Sequence, residues 1–141
     1  MSALGVIGVL LFVSMAVVFG VSAAKGRAGT LPKGSALGLH NREVLASDQA
    51  WREAHRAAWP ILAAGCAVAV FHALGCLVAG LGMGADGASF TRVLVVSGLV
   101  VTVGLWFVAS AAGVNTVKHM ALLTLPWVMV GRGGWGGGRR G

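Results

Sequence analysis

The chain reads as an all-α membrane protein with three transmembrane helices and, before the second of them, a loop and an interfacial helix. Three observations lead there. Hydrophobic residues make up 57% of the 141 positions and charged residues only 11%, where soluble domains carry about a quarter charged. The apolar residues fall in runs longer than the roughly 18 needed to cross a bilayer. The polar residues concentrate instead in one passage, Gly38 to Arg56, which holds three of the four acids and two of the four histidines.

The first span is placed at 3–24, a run without charge. Its length of about 33 Å matches a hydrocarbon core near 30 Å. No basic stretch precedes it and it is too long for a signal-peptide core, so it is read as a retained helix. Ala16, Gly20 and Ala24 recur at intervals of four, a small-residue stripe of the kind that lets helices approach closely.

Residues 25–58 form the motif loop. Lys25 and Arg27 end the first span, and Gly29 to Gly38 has the Gly, Pro and Ser content of a loop. Ser47 has the position of a helix N-cap, with Asp48 in the first turn where a carboxylate suits the helix dipole. Asp48 and Arg52, four apart, are placed to pair. Trp51, His55 and Trp59 repeat at the same interval, and tryptophans concentrate at the headgroup level, which predicts an interfacial helix. Pro60 is expected to kink or restart that helix.

The second span is placed at 59–81, with His72 near its middle and Gly65, Ala69 and Ala73 as a second small-residue stripe. A Gly-rich turn with Asp86 leads to the third span at 93–117. Residues 119–130 contain Pro126 and are too short to cross; they are read as an interfacial segment anchored by Trp127. The Gly/Arg tail, 131–141, is expected to be disordered.

Charge sets the orientation. The first loop carries Lys25, Arg27, Lys33, Arg42, Arg52 and Arg56, against Arg92 alone in the second loop. The positive-inside rule therefore predicts the first loop and the C-terminus in the cytoplasm and the N-terminus outside. The net charge of +7 is used in this flanking role, so a nucleic-acid partner is not expected.

Candidate chemistry is sparse. Cys66 and Cys76, about 15 Å apart along one helix, cannot bridge each other and read as packing residues. His72 inside a span is a site candidate on cost alone; its expected role is a hydrogen bond to Ser97, Thr102 or Ser110, the lining of a small polar cavity, or simply a bond to one hydroxyl or carbonyl. His40, His55 and Asp48 or Glu43 could in principle meet around zinc, but without a supporting spacing neither a metal nor any other cofactor is predicted. No nucleophile motif occurs, and the acids sit beside arginines that would hold them as ion pairs. An enzyme is not expected.

Gly38-Leu39-His40-Asn41, Leu45-Ala46-Ser47-Asp48, Trp51 and Ala54-His55-Arg56 resemble the signature of the SdpI/YhfL family of small bacterial membrane proteins. In that family a Gly-hydrophobic-Arg-Thr run precedes a serine, an acid, a tryptophan and a His/Asn-Arg/Lys pair. The likeness covers about twenty residues by motif and, by hydropathy, extends through the later spans, so that residues 1–130 would form one such domain. Here His40 and Asn41 stand in place of Arg-Thr, with Arg42 adjacent. The resemblance implies a multi-pass protein of the bacterial cell membrane, in contact with membrane lipid, whose role is immunity or signal transduction. Its partner would be a secreted peptide toxin or a cytoplasmic repressor. Gly38, His40, Asn41, Ser47, Asp48, Trp51, His55 and Arg56 would be its motif residues, serving either partner binding or the structure of the cap. The alternative expectation, from the small-residue stripes, is an accessory subunit of a larger membrane protein complex, or a homo-oligomer.

Overall fold

The computed structural model describes residues 2–130, with side chains described as far as residue 125. The tail at 131–141 and the side chain of Trp127 lie outside the described residues. Among those described there are three long helices and no strand: α1 (Ala3–Ala28), α2 (Asp48–Gly82) and α3 (Gly87–Val130). All three are long and apolar enough to cross a membrane.

Helix α1 starts at Ser2, whose hydroxyl accepts the Gly5 N–H at 3.2 Å. It ends in a Schellman motif: Thr30 N–H reaches the Lys25 carbonyl at 3.0 Å and Gly29 N–H the Gly26 carbonyl at 3.3 Å. Gly29 takes φ 70° there, a left-handed conformation that costs glycine little. Lys25 and Arg27 occupy the last turn, where cations suit the dipole.

Helix α2 is the central element and packs antiparallel against both neighbours. Against α1 the contacts run in strict order. Gly8 faces Cys76, Phe12 stacks with His72 at 5.3 Å, Gly65 admits the ring of Phe19, and Gly26 lies under His55. The inward residues of α1 are Gly5, Gly8, Phe12, Phe19, Ser22 and Gly26; those of α2 include Trp51, His55, Ala58, Leu62, Gly65, Ala69, His72, Cys76 and Ala79. Steps of three and four make this a seven-residue repeat on each helix, the period at which two helices keep one seam in contact. Small residues oppose large ones along the seam, so the backbones approach closely.

Against α3 the register is equally regular: Gly75 faces Leu94, His72 faces Ser97, and Ala54 faces Gly113. Helices α1 and α3 flank α2 and meet mainly through long side chains. Phe12 fills the space beside Gly98, and Phe19 sets its edge against Trp106 with ring centroids 5.7 Å apart. Thr102 is fully buried and donates to the Gly98 carbonyl at 2.6 Å.

The sequence expectations need three corrections. Of the kink or restart expected at Pro60, the restart does not occur, and α2 runs on through it; the ring is exposed, while buried Ala58 and Leu62 on either side hold the helix to its neighbours. The segment read as 119–130 continues α3 without a break. At 44 residues that helix is about 66 Å long, and it passes the start of α2 by several residues. The Gly65/Ala69/Ala73 stripe is consumed inside the bundle, since all three are buried. The Ala16/Gly20/Ala24 stripe lies to one side of the α1 seam, with Ala24 exposed.

Candidate functional site

The segment between α1 and α2 folds back over the end of the bundle as a cap, with one 3-10 turn at Val44–Ala46. A turn from Pro32 to Ser35, closed by a 3.1 Å backbone bond, reverses the chain with Gly34 at φ 77°. Three apolar side chains then point down: Leu31, Leu39 and Val44, each at most 5% exposed. They join Phe19, Ala23, Trp51, Ala54, Ala58, Leu62 and Ala109 in one core. Leu39 wedges between α2 and α3, where a methyl on Gly113 would stand 3.0 Å from its Cδ1.

Polar bonds fix the cap to the helices. Trp51 Nε1–H donates to the Leu31 carbonyl at 2.8 Å, and Leu39 N–H donates to His55 Nε2 at 2.9 Å. His55 Nδ1–H in turn donates to the Trp51 carbonyl at 2.8 Å. From α1, the buried Ser22 hydroxyl donates to the Leu37 carbonyl. Ser47 caps α2 by accepting the Ala50 N–H at 3.0 Å. The rings of Trp51 and His55 lie 4.3 Å apart, and Gly38 packs directly on the Trp51 ring, so closely that no Cβ would fit.

Gly38, Trp51 and His55 are thus brought together, and they face inward. Of the Trp51, His55 and Trp59 stripe, from which the sequence predicts an interfacial helix, the first two side chains are interior: Trp51 is 2% exposed and His55 1%. Helical spacing alone puts the three residues on one face; the loop folding back over that face is what turns it into an interior. Trp59, a turn further on, does lie at the rim, under the guanidinium of Arg27 at 5.0 Å.

The rest of the motif points outward. His40 is exposed and its Nδ1–H donates to the Gly38 carbonyl at 2.7 Å. Asn41 is half-buried, its carbonyl accepting the Leu45 N–H. Asp48 pairs with Lys33 at 3.7 Å rather than with Arg52, and Arg56 pairs with Glu53 at 3.9 Å. Glu43 reaches Lys118 of α3 at 3.9 Å. These pairs are largely exposed, and each is worth about 1 kcal/mol or less. Arg42 and Arg52 are exposed and make no ion pair among the described residues, so the outer face of the cap is basic.

His55 lies one turn before the stretch placed as the second span. Burial disfavours its charged form and lowers its pKa below the ordinary 6.5; the bond to the Trp51 carbonyl opposes this, and the nearby His40 adds to it. Both ring nitrogens are committed, Nδ1 as donor and Nε2 as acceptor, which leaves no lone pair for a metal. Among the described residues no three His, Cys, Asp or Glu side chains gather as a metal-binding set.

His72 stands apart from the cap. It is 8% exposed, donates from Nδ1 to the Val68 carbonyl at 2.8 Å, and has the Ser97 hydroxyl 3.4 Å from Nε2. Phe12 and Phe71 enclose the ring. Its polar atoms are satisfied within the bundle, and Ser97 is the hydroxyl that reaches it rather than Thr102 or Ser110.

Sequence reasoning did not single out Ser22, Gly26 or Gly113, which seat the cap. Ser22 carried the one available signal, a hydroxyl near the end of an apolar run that required a partner. Compared with protein-family models, with curated proteins and with solved structures, the chain matches none.

Proposed function

We propose that the chain is a non-catalytic, multi-pass protein of the bacterial cell membrane that uses its cap to hold a peptide or protein partner, in the manner of SdpI-type immunity and signalling proteins. The cap and the C-terminus face the cytoplasm and the N-terminus faces outward, as the basic first loop favours. The observation that carries the reading is the division of labour in the cap. Gly38, Trp51 and His55 are spent on holding the loop, while His40, Arg42 and Arg52 stand outside on a rigid basic surface suited to an acidic segment. A cytoplasmic repressor reached through such a segment fits this surface better than a hydrophobic toxin does.

The test is survival of cells with and without the gene when exposed to a secreted peptide encoded beside it, repeated with Arg42→Ala/Arg52→Ala. Protection that disappears in the double variant, at unchanged membrane level, is the expected result. Equal sensitivity in all three strains would end the immunity reading.

A second reading, an accessory subunit of a larger membrane complex, is favoured by the end of α3. Leu122, Leu123 and Leu125 are each more than half exposed, beyond the part of α3 that α2 covers. A stoichiometric companion co-eluting in mild detergent supports this alternative; a clean monomer or homo-oligomer counts against it.

A further inference from the structure

Beside the seam between α1 and α2 runs an outward-facing groove of about 260 Å³, lined by Gly20, Ala23, Ala24, Ala63 and Cys66 and closed at the cap end by Arg27 and Trp59. Its floor is apolar and made of small side chains. Its mouth carries the Arg27 guanidinium over the Trp59 indole at 5.0 Å, a cation–π contact that restrains a long side chain. Arg27 makes no ion pair among the described residues: Glu43, Asp48 and Glu53 are engaged by Lys118, Lys33 and Arg56. The remaining acid, Asp86, lies in the turn at the opposite end of the bundle. Arg52 and Arg56 continue the Trp59, Ala63, Cys66 face of α2 beyond the mouth, at helical intervals.

We infer that this groove binds one anionic phospholipid, with its phosphate on Arg27 at the level of Trp59 and an acyl chain lying along Ala63 and Cys66 toward Gly20. A restrained cation directly above an apolar trough has the polarity of such a lipid, and arginine's planar fork matches phosphate oxygens. Trp59 is of the residue type that settles at the headgroup level. A second copy of the chain fits less well. A two-fold contact sets the same patch against itself, and here that would bring the two Arg27 side chains together, neither with an ion-pair partner among the described residues. The inference rests on the reading of the helices as membrane spans, but not on any partner of the cap.

The experiment uses full-length protein in phosphatidylcholine vesicles containing a minor fraction of either phosphatidylglycerol or further phosphatidylcholine, the minor lipid brominated on its acyl chains. Bromine quenches tryptophan on contact, and the contribution of Trp59 is the difference between the natural chain and Trp59→Phe. Brominated phosphatidylglycerol is expected to associate about fivefold more strongly than brominated phosphatidylcholine, which corresponds to about 1 kcal/mol for one basic residue at the surface. Arg27→Gln abolishes this preference, Arg27→Lys keeps part of it, and Arg42→Gln leaves it intact.

Equal quenching by the two lipids overturns the proposal. So does equal loss in Arg27→Gln and Arg42→Gln, which would mean diffuse surface charge. Crosslinking of two copies through Ala24→Cys in the vesicles would assign the groove to a dimer instead. Protein extracted from the vesicles by alkaline carbonate would overturn the membrane reading itself, separately from the choice of lipid.

Discussion

Leu39 gives its backbone N–H to Nε2 of His55 across 2.9 Å, so the loop is pinned by the lone pair of a neutral imidazole. A second proton on that ring would set two N–H groups against each other. Burial already holds the His55 pKa below 6.5, so the unfolded chain binds this proton more readily than the folded one, and stability rises with pH across the window between the two values. The contribution is fully present above about pH 6.5 and is lost as pH falls through the lowered folded value. Thermal unfolding in detergent should show a midpoint that drops on acidification below that point, and His55→Gln should flatten the dependence. An unchanged slope in the variant would mean that another group is responsible.

Trp51→Phe keeps most of the buried ring and removes the N–H that satisfies the Leu31 carbonyl. Leaving a buried acceptor unpaired costs about 1–3 kcal/mol. The loss should appear as faster amide exchange across Leu31 to Leu39, with exchange in α3 little changed. Uniform loosening of all three helices would contradict a local role for this bond.

Gly98 and Gly104 lie on the same helix and should respond oppositely. A methyl at Gly98 would stand 2.7 Å from His72 Cδ2 and would enter the Phe12 ring, whereas at Gly104 nothing lies within 4 Å. Gly98→Ala is expected to destabilise by about 1–3 kcal/mol through overpacking. Gly104→Ala should be neutral or mildly stabilising, because glycine within a helix is weak by about 0.5–1 kcal/mol relative to alanine. Unfolding midpoints of the two variants, measured side by side, check both.

Ser47→Ala removes the cap of α2 and should cost about 1 kcal/mol. Lys33→Gln breaks an exposed ion pair and should cost under about 0.5 kcal/mol. If the order of the two is reversed in a denaturation series, the cap is held by its charges rather than by its backbone bonds.

Much of this architecture was legible from residue type. Uncharged runs gave the three helices, because in lipid a helix satisfies its own backbone. Ser47 gave the start of α2, since a hydroxyl before Asp48 has few other uses there. What the spacing of Trp51, His55 and Trp59 could not reveal is which solvent their face meets. Helical period defines a face, but only the fold of the Gly29–Ala46 loop decides whether that face is covered. Gly38 was marked by the motif, yet its reason lies seventeen positions away, in the His55 ring that holds Leu39, and in the Trp51 indole beside it. The continuation of α3 was missed because Pro126 and a short apolar run look like an ending, while helix at that position needs only an uninterrupted preceding turn.

The matched seam between α1 and α2 also limits how these helices can change length. Gly8, Phe12, Phe19 and Gly26 meet Cys76, His72, Gly65 and His55 in fixed order. One residue inserted within this stretch of α1 would turn everything after it by about 100°, sending Gly26 away from His55 and lifting the cap. Seven residues inserted together would restore the face but carry the loop about 10 Å too far along the axis. Substitution is therefore the open route of variation for this bundle, and insertions and deletions belong in the turns at its ends.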